Sequence, residues 1–237
     1  ICLCYMDVEI VRDGYQYNLH FEKGENVGGL KKAPTKKKQT GTRTHWKPDL
    51  EVFTEIDIPE EYYCDILRRQ AVVNPNLLFV YRNEEADGSF TEKQYLYENG
   101  IADYVQEIAG DAALTSIQNW SCQREGQDRS DKPMYKVKLN VALTFSNRIQ
   151  KIEYYHNSSW LEHGGSPEKA VKQAFVSQID SYLRQNGKYL KNEAKITFAD
   201  VEACLILVSS SFSTQTSYEN QTKKAITNKF VYEAMTE

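Results

Sequence analysis

The sequence predicts an α+β protein built from antiparallel strands and amphipathic helices, with no internal repeat. Strand-like alternation recurs in short segments joined by Asp-Gly turns, and other stretches carry apolar residues at helical spacing. The chain has 237 residues, of which 41% are hydrophobic and 12% aromatic, enough for a packed core.

Charge and hydropathy limit the partners of the chain. The formal net charge of -4 gives no overall attraction to nucleic acid, so DNA contact would need a local basic patch. No apolar stretch approaches the roughly 20 residues that cross a bilayer, and we expect no membrane partner.

The cysteines and histidines indicate neither a disulfide framework nor a metal site. Five cysteines are scattered along the chain, which favours free thiols in a reducing cytoplasm. Cys2 and Cys4 have no second pair, and the four histidines lack metal-ligand spacing. The chain shows no signal peptide and opens into a strand-like run without an initiator Met, which we interpret as part of a longer polypeptide.

The first elements are strands. Residues 7–12 and 15–21 alternate on either side of Asp13-Gly14, which predicts a β-hairpin. A basic, glycine-rich loop is expected over 25–39, and a third strand over 40–46.

A helix, a second hairpin and a short helix follow. Asp57-Ile58-Pro59 is typical of a helix start. Segments 77–81 and 90–97 form the predicted hairpin around Asp87-Gly88, and residues 101–108 the short helix. The first helix is expected to bury an apolar stripe formed by Tyr63, Ile66, Leu67 and Ala71.

A polar, irregular stretch over 116–133 suggests a domain boundary just before it, giving domains 1–114 and 115–237. Residues 137–145 then alternate without a fault, which predicts a strand with one buried face. A turn at Ser146-Asn147 returns the chain through 149–155.

The rest of the second half predicts a long helix, a strand and a last helix. Ser166 is expected to cap the long helix, with Pro167 in its first turn and Gly187 at its end. The apolar run 203–208 suits a central strand, whereas 209–220 is interpreted as polar and flexible. The last helix is expected from about residue 224.

Two ordered sets of motifs suggest a family. The later set comprises His163-Gly164-Gly165-Ser166, the helix behind it, the strand 203–209 and Gln221-Thr222-Lys223. It resembles the transducer domain of type IIA DNA topoisomerases, found in gyrase B and its topoisomerase IV counterpart. The earlier set resembles the later part of the ATPase domain in the same polypeptide, and consists of residues 8–14, 21–24, Thr40-Gly41-Thr42, Trp46, Pro48-Asp49 and 97–105. Each motif alone is common, but their order and spacing hold over nearly the whole chain.

The resemblance implies a specific fold. Residues 1–114 would be the later portion of a GHKL (Bergerat) ATPase domain, a mixed sheet with helices on one face. Residues 115–237 would be a transducer domain containing a left-handed βαβ crossover, the opposite hand to the usual rule.

The resemblance also implies a function, that of the ATP-hydrolysing part of a type II topoisomerase, which couples ATP turnover to clamp closure and DNA strand passage. The cofactor would be ATP with Mg²⁺, whose ligands lie upstream of this chain, so we expect the isolated chain to be inactive. The implied partners are DNA, a second copy of the same polypeptide and the separate DNA-cleaving polypeptide of the topoisomerase (gyrase A or its counterpart), in the bacterial cytoplasm.

Three residues match the family's ATP-binding positions. Thr42 corresponds to a threonine that lines the adenine pocket. Gln221 and Lys223 correspond to a loop that reaches the γ-phosphate, and Lys223 is the candidate catalytic residue. A cation on a mobile loop suits the stabilisation of a transferring phosphoryl group. Without the resemblance, Lys223 beside Lys224 is more simply a solvated pair.

Two further lysines match a DNA-facing position only weakly. Lys172 corresponds to a basic residue that faces the cavity of the family's clamp, and Lys169 lies three residues earlier. A solvated helix face explains both. The lysines in 31–38 could contact DNA, but a solvated loop is the preferred interpretation.

The chain departs from the family pattern at two places. Gly164-Gly165 is followed by Ser166-Pro167 where the family has Thr-His, and residues 213–220 replace a Pro- and Phe-bearing segment. The loop before Lys223 is therefore expected to rest differently. The alternatives are another GHKL ATPase, of the mismatch-repair or chaperone type, and a non-enzymatic interaction module. The sequence does not separate gyrase from topoisomerase IV.

Overall fold

Two five-stranded sheets and one two-stranded sheet organise the described part of the chain, confirming the predicted α+β class. The computed structural model describes residues 2–237. Two compact units form, one up to Tyr62 and one from Tyr63 to Glu237. This division does not test the domain boundary expected at 114/115, which stays a prediction.

The sheet of the first unit has the strand order β3-β2-β1-β5, and β4 also pairs with β2. The predicted hairpin is confirmed, with Asp13 and Gly14 at positive φ in its turn. The expectation of a loop over 25–39 is wrong in part, because two short segments within it pair with β2. The strands are β1 (Leu3–Arg12), β2 (Tyr15–Glu22), β3 (Glu25–Asn26), β4 (Lys31–Pro34) and β5 (Gly41–Pro48).

The first helix, α1 (Glu60–Val73), buries only its last turn. Ala71 and Val72 are buried, but Tyr63 is 39% and Ile66 58% exposed, so the predicted buried stripe is wrong at those two positions. The helix is followed by a hairpin and a short helix, both as predicted: β6 (Phe79–Glu84), β7 (Phe90–Tyr95) and α2 (Ile101–Ala109).

The larger sheet lies in the second unit and has the order β11-β10-β12-β9-β8. Its last strand in sequence, β12, lies between β9 and β10, antiparallel to the first and parallel to the second. The turn after β9 therefore joins strands that are not neighbours. The strands are β8 (Gln118–Gly126), β9 (Tyr135–Phe145), β10 (Lys151–His156), β11 (Ser159–Trp160) and β12 (Leu205–Ser213).

Two expectations for this region are wrong. Residues 116–133 are not irregular throughout, because β8 pairs with β9 along nine positions, from Gln118 to Gly126. Residues 209–213 are not flexible, because they continue β12 and three of the serines there are buried.

Helices cover both faces of this sheet. Leu205 and Leu207 of β12 pack on one side with the helices α3 (Ser166–Gln185), α4 (Phe198–Glu202) and α5 (Lys229–Thr236). Ile206 and Val208 pack on the other side with α2. Strand β9 likewise has buried residues on both faces, so the expectation of one buried face is wrong.

Strands β10 and β12 with α3 between them form a parallel βαβ unit. Its left-handed crossover stays a prediction. Gly165, not Ser166, is the N-cap of α3, because Ser166 is already the first helical residue. The last helix begins at Lys229, five residues later than expected. Within residues 2–237, no helix combines the length and apolar character needed to span a bilayer.

Candidate functional site

The segment that carries Gln221 and Lys223 is a paired loop rather than a disordered tail. We call residues 217–227 the polar loop. The backbone N–H of Thr227 donates to Ser217 O at 2.8 Å, and that of Glu219 donates to Ala225 O at 3.0 Å. Tyr218 and Ile226 form an antiparallel bridge between these bonds. The two arms therefore pair as in a hairpin, with residues 220–223 as its tip.

The tip is a tight turn centred on Asn220. Its side-chain Oδ1 accepts a hydrogen bond from the backbone N–H of Thr222 at 3.1 Å, and its carbonyl accepts from Lys223 N at 3.3 Å. Lys223 has a φ of 57°, and its Nζ lies 5.6 Å from the centroid of the Tyr218 ring. Gln221 and Lys223 are both exposed. The tip thus presents an amide and a cation to any anion that approaches it.

The second arm of the loop is fixed to the Gly164-Gly165 motif. The backbone N–H of Ser166 donates to Ile226 O at 2.9 Å, and that of His163 donates to Lys224 O at 2.9 Å. A Cβ on Gly165 would lie 2.3 Å from Ile226 O, so only glycine fits there. Two motifs that are far apart in sequence are therefore joined through their backbones.

The two adjacent lysines of the loop have different surroundings. Lys224 Nζ forms an ion pair with Glu162, and this hydrogen bond lowers the pKa of the Glu162 carboxyl. Lys223 instead extends from the tip over an aromatic ring. The two lysines therefore differ, because the charge of Lys224 is matched by the Glu162 carboxylate.

The base of the loop is closed by the buried Asn228. Its Oδ1 accepts from Ser217 N at 2.8 Å, and its Nδ2 donates to the Tyr135 hydroxyl at 3.1 Å and to Asp128 at 3.2 Å. Burial, together with the hydrogen bond to Asp128, raises the pKa of Tyr135, which stays a neutral donor.

Thr42 belongs to the other compact unit, where it is exposed on β5 opposite Ile10. It lines an open cleft of about 460 Å³ together with Lys37, Lys38 and Arg43. This cleft combines a hydroxyl with several cations.

Lys172 and Lys169 lie near the start of α3, and both are exposed. Lys172 Nζ pairs with Glu168 at 2.6 Å and lies 5.6 Å from the centroid of the Phe198 ring. Because its charge is matched by a carboxylate one turn away, this lysine fits the solvated helix face better than a free phosphate ligand.

A buried polar cluster at the start of the polar loop was missed by sequence reasoning. It is centred on His156, which is 0% exposed and contacts Ser211, Ser213 and Thr216. Burial lowers the pKa of His156 to about 4, so the ring is neutral at pH 7. A serine at every second position of 209–213 is the signal that could have indicated buried hydroxyls in a strand.

Among the described residues, no group of three or more His, Cys, Asp or Glu side chains is arranged to hold a metal ion.

Comparison with known proteins gives consistent matches. The family model described as DNA gyrase B matches residues 100–237. The DNA gyrase B protein of Mycoplasmoides gallisepticum is 25% identical over 231 residues, covering 92% of this chain and 34% of that protein. The DNA topoisomerase 4 B protein of Streptococcus pneumoniae serotype 4 is 26% identical over 225 residues, covering 92% and 33%. The chain thus spans about a third of the length of the curated relatives it matches.

A similar solved structure is the 43K ATPase domain of Thermus thermophilus gyrase B in complex with an aminocoumarin. The TM-score is 0.68 at 20% identity, and the alignment covers 99% of this chain and 63% of that one. At this identity the likeness shows that the two chains share a fold.

Proposed function

The chain belongs to the DNA gyrase B family, and we propose that it forms the later ATPase region and the transducer domain of a type II DNA topoisomerase. Family membership favours this branch over a mismatch-repair or chaperone ATPase. The observation that carries the proposal is the paired polar loop, which holds Gln221 and Lys223 at an exposed tip and is bonded through its arm to the Gly164-Gly165 motif.

In the proposed mechanism, Lys223 and Gln221 contact the γ-phosphate of ATP in the parent protein. ATP would supply the phosphoryl group, and Mg²⁺ would be held by other residues of the parent protein. The Lys223 ammonium offsets the charge that develops during phosphoryl transfer, and the Gln221 amide donates a hydrogen bond to it. Thr42 would hold a water molecule beside the adenine.

Movement of the tip would reach the rest of the domain through the second arm. Because Ile226 O accepts a hydrogen bond from Ser166 N at the start of α3, a shift of the arm would displace that helix. ATP biases the domain only through its tighter binding to the loop-engaged state, and hydrolysis removes that bias. The parent would act in the bacterial cytoplasm as a dimer, together with the DNA-cleaving polypeptide and DNA.

Steady-state ATP hydrolysis by the parent polypeptide, including its upstream segment, tests the proposal. For Lys223→Ala we expect kcat to fall about a hundredfold, because one preorganised donor to a transferring group contributes about this much. ATP binding should change by less than about threefold. Lys191→Ala is the matched control, because Lys191 is exposed in a loop with no proposed role.

Unchanged turnover in Lys223→Ala would contradict the proposal. It would make the tip an ordinary surface turn and favour the non-enzymatic interaction module.

A further inference from the structure

His156 ends β10 and sits between β12 and the first residues that lead into the polar loop. Its Nδ1 lies 2.7 Å from Ser211 Oγ, and its Nε2 lies 2.9 Å from Thr216 Oγ1. The histidine and the threonine are 60 residues apart in sequence, so this contact fixes the loop start to a distant strand.

One arrangement of the protons satisfies the ring and both backbone carbonyls of this cluster. Ser211 Oγ donates to Tyr155 O at 3.1 Å, so it must accept from His156, whose proton is then on Nδ1. Ser213 Oγ donates to Gln215 O at 2.6 Å, which leaves Thr216 as the donor to Nε2. The neutral ring is thus a donor on one side and an acceptor on the other.

Asn157 holds the same segment from the next position. Its Nδ2 donates to Thr216 Oγ1 at 2.9 Å, so this hydroxyl accepts from Asn157 while it donates to His156. Its Oδ1 accepts from Ser213 N at 2.9 Å. Asn157 has a φ of 47°, a left-handed conformation that asparagine tolerates better than most residues.

The turn that carries these side chains is itself fixed on its other side. Ser158 O accepts a hydrogen bond from Gln70 Nε2 of α1 at 3.0 Å. The Arg69 guanidinium lies 3.6 Å from the centroid of the Trp160 ring, just after the turn. Residues 156–158, which we call the anchor turn, are therefore a fixed reference for the loop.

Thr216 directly precedes the base of the polar loop. Ser217 bonds to Asn228 through its N–H and to Thr227 through its carbonyl. A change at Thr216 would therefore be transmitted to both arms, and so to the tip.

We propose that His156 and Asn157 are positioning residues for the polar loop, acting through the Thr216 hydroxyl to set where Lys223 lies. The inference rests on the proposed function for its effect on turnover, but not for its effect on the loop. Neither residue need touch the nucleotide. They hold the loop base so that the tip meets the phosphate without further ordering.

The sharpest test is Thr216→Val in the parent polypeptide, because it replaces the hydroxyl by a methyl of similar size. We expect kcat for ATP hydrolysis to fall about tenfold, with KM changed by less than about twofold, since the loss of buried hydrogen bonds misplaces the tip. Thr216→Ser keeps the hydroxyl and should restore kcat to within about twofold. Thr214→Val, on an exposed residue of the same segment, is the matched control.

A double mutant separates positioning from general damage. In the Lys223→Ala background, Thr216→Val should cause no further loss of kcat, because it acts through Lys223. An equal loss in both backgrounds, or unchanged kcat with Lys223 present, would overturn the inference.

Hydrogen exchange of peptides covering 214–228, measured without nucleotide, reports directly on how well the polar loop is ordered. Thr216→Val should exchange at least about fivefold faster than wild type, and unchanged exchange would overturn the inference. If Lys223→Ala leaves turnover intact, the proposed function fails. The exchange measurement alone then tests whether the anchor turn positions the polar loop.

Asn157→Asp is a second variant in case Thr216→Val does not fold. It keeps the shape and the left-handed conformation but removes the amide donor to Thr216. The same loss of kcat and the same faster exchange are expected, and wild-type behaviour in both would contradict the inference.

Discussion

The two five-stranded sheets differ in how much of their surface is covered. Of the described residues up to Tyr62, only Val11 is a buried hydrophobic side chain, and Trp46 is 48% exposed. In the larger sheet, Leu205 to Val208 are fully buried because helices pack on both faces. Similar alternating sequences therefore form an open sheet in one unit and the centre of a three-layer core in the other. Alternation predicts a strand, but not whether both of its faces are covered.

We expect the largest difference between the two units in the loss of stability when a glycine is replaced by alanine. Gly165→Ala should destabilise the second unit by about 4 kcal/mol, because it combines a left-handed conformation with a clash against the Ile226 backbone. Gly41→Ala in β5 meets nothing within 4 Å and should change stability by less than about 0.5 kcal/mol. Urea unfolding of both variants measures this, and equal effects would remove the contrast.

We expect a smaller difference in the loss of stability when a leucine is replaced by alanine. Leu207→Ala should cost about 3 kcal/mol, since its side chain is fully buried and a cavity would remain. Leu19→Ala, at a half-buried position of β2, should cost about 1 kcal/mol. Local unfolding free energies from hydrogen exchange in β12 and β2 test this, and a cost at Leu19 as large as at Leu207 would mean that the first sheet is covered after all.

A third contrast, about as large as the one for leucine, is a pH dependence carried by histidine. The folded-state pKa of His156 is lowered to about 4, so below pH 6.5 the unfolded chain binds a proton that the folded chain does not. Stability should therefore fall as the pH drops, by about 2 kcal/mol between pH 7 and pH 5 from this group. Comparing His156→Gln with wild type isolates it, and parallel pH profiles would contradict the assignment.

His20 of the first unit should behave in the opposite way. Hydrogen bonds to Asp7 and then to Glu22 raise its pKa above 6.5. An NMR titration should show the His20 ring charging first as the pH falls, with the His156 ring still neutral at pH 5. Coincident midpoints would remove this contrast.

Local signals predicted much of the fold. The hairpin around Asp13-Gly14 and the long helix after Gly165 are marked by turn and helix-start residues near one another in sequence. Strand β8 was missed because it is an edge strand whose side chains are mostly exposed and polar. The insertion of β12 between β9 and β10 was missed because such pairing has no local signal.

The candidate site was predicted only in part. Resemblance pointed to Gln221 and Lys223, and the exposed tip of the polar loop fits that expectation while leaving their roles as proposals. The anchor turn could not be predicted from the sequence, because His156 and Thr216 meet only through the strand order of the sheet. An isolated buried histidine carries no spacing pattern that sequence reasoning could detect.

The position of β12 also fixes an order of events during folding. Both of its neighbours, β9 and β10, precede it in the chain, so they are synthesised before the strand that joins them exists. Until residue 211 has been made, β10 lacks its complete parallel partner and His156 lacks Ser211. Such non-local pairing is slow compared with hairpin formation. The polar loop therefore acquires its fixed base last, so an ordered loop marks a chain whose central sheet is already complete.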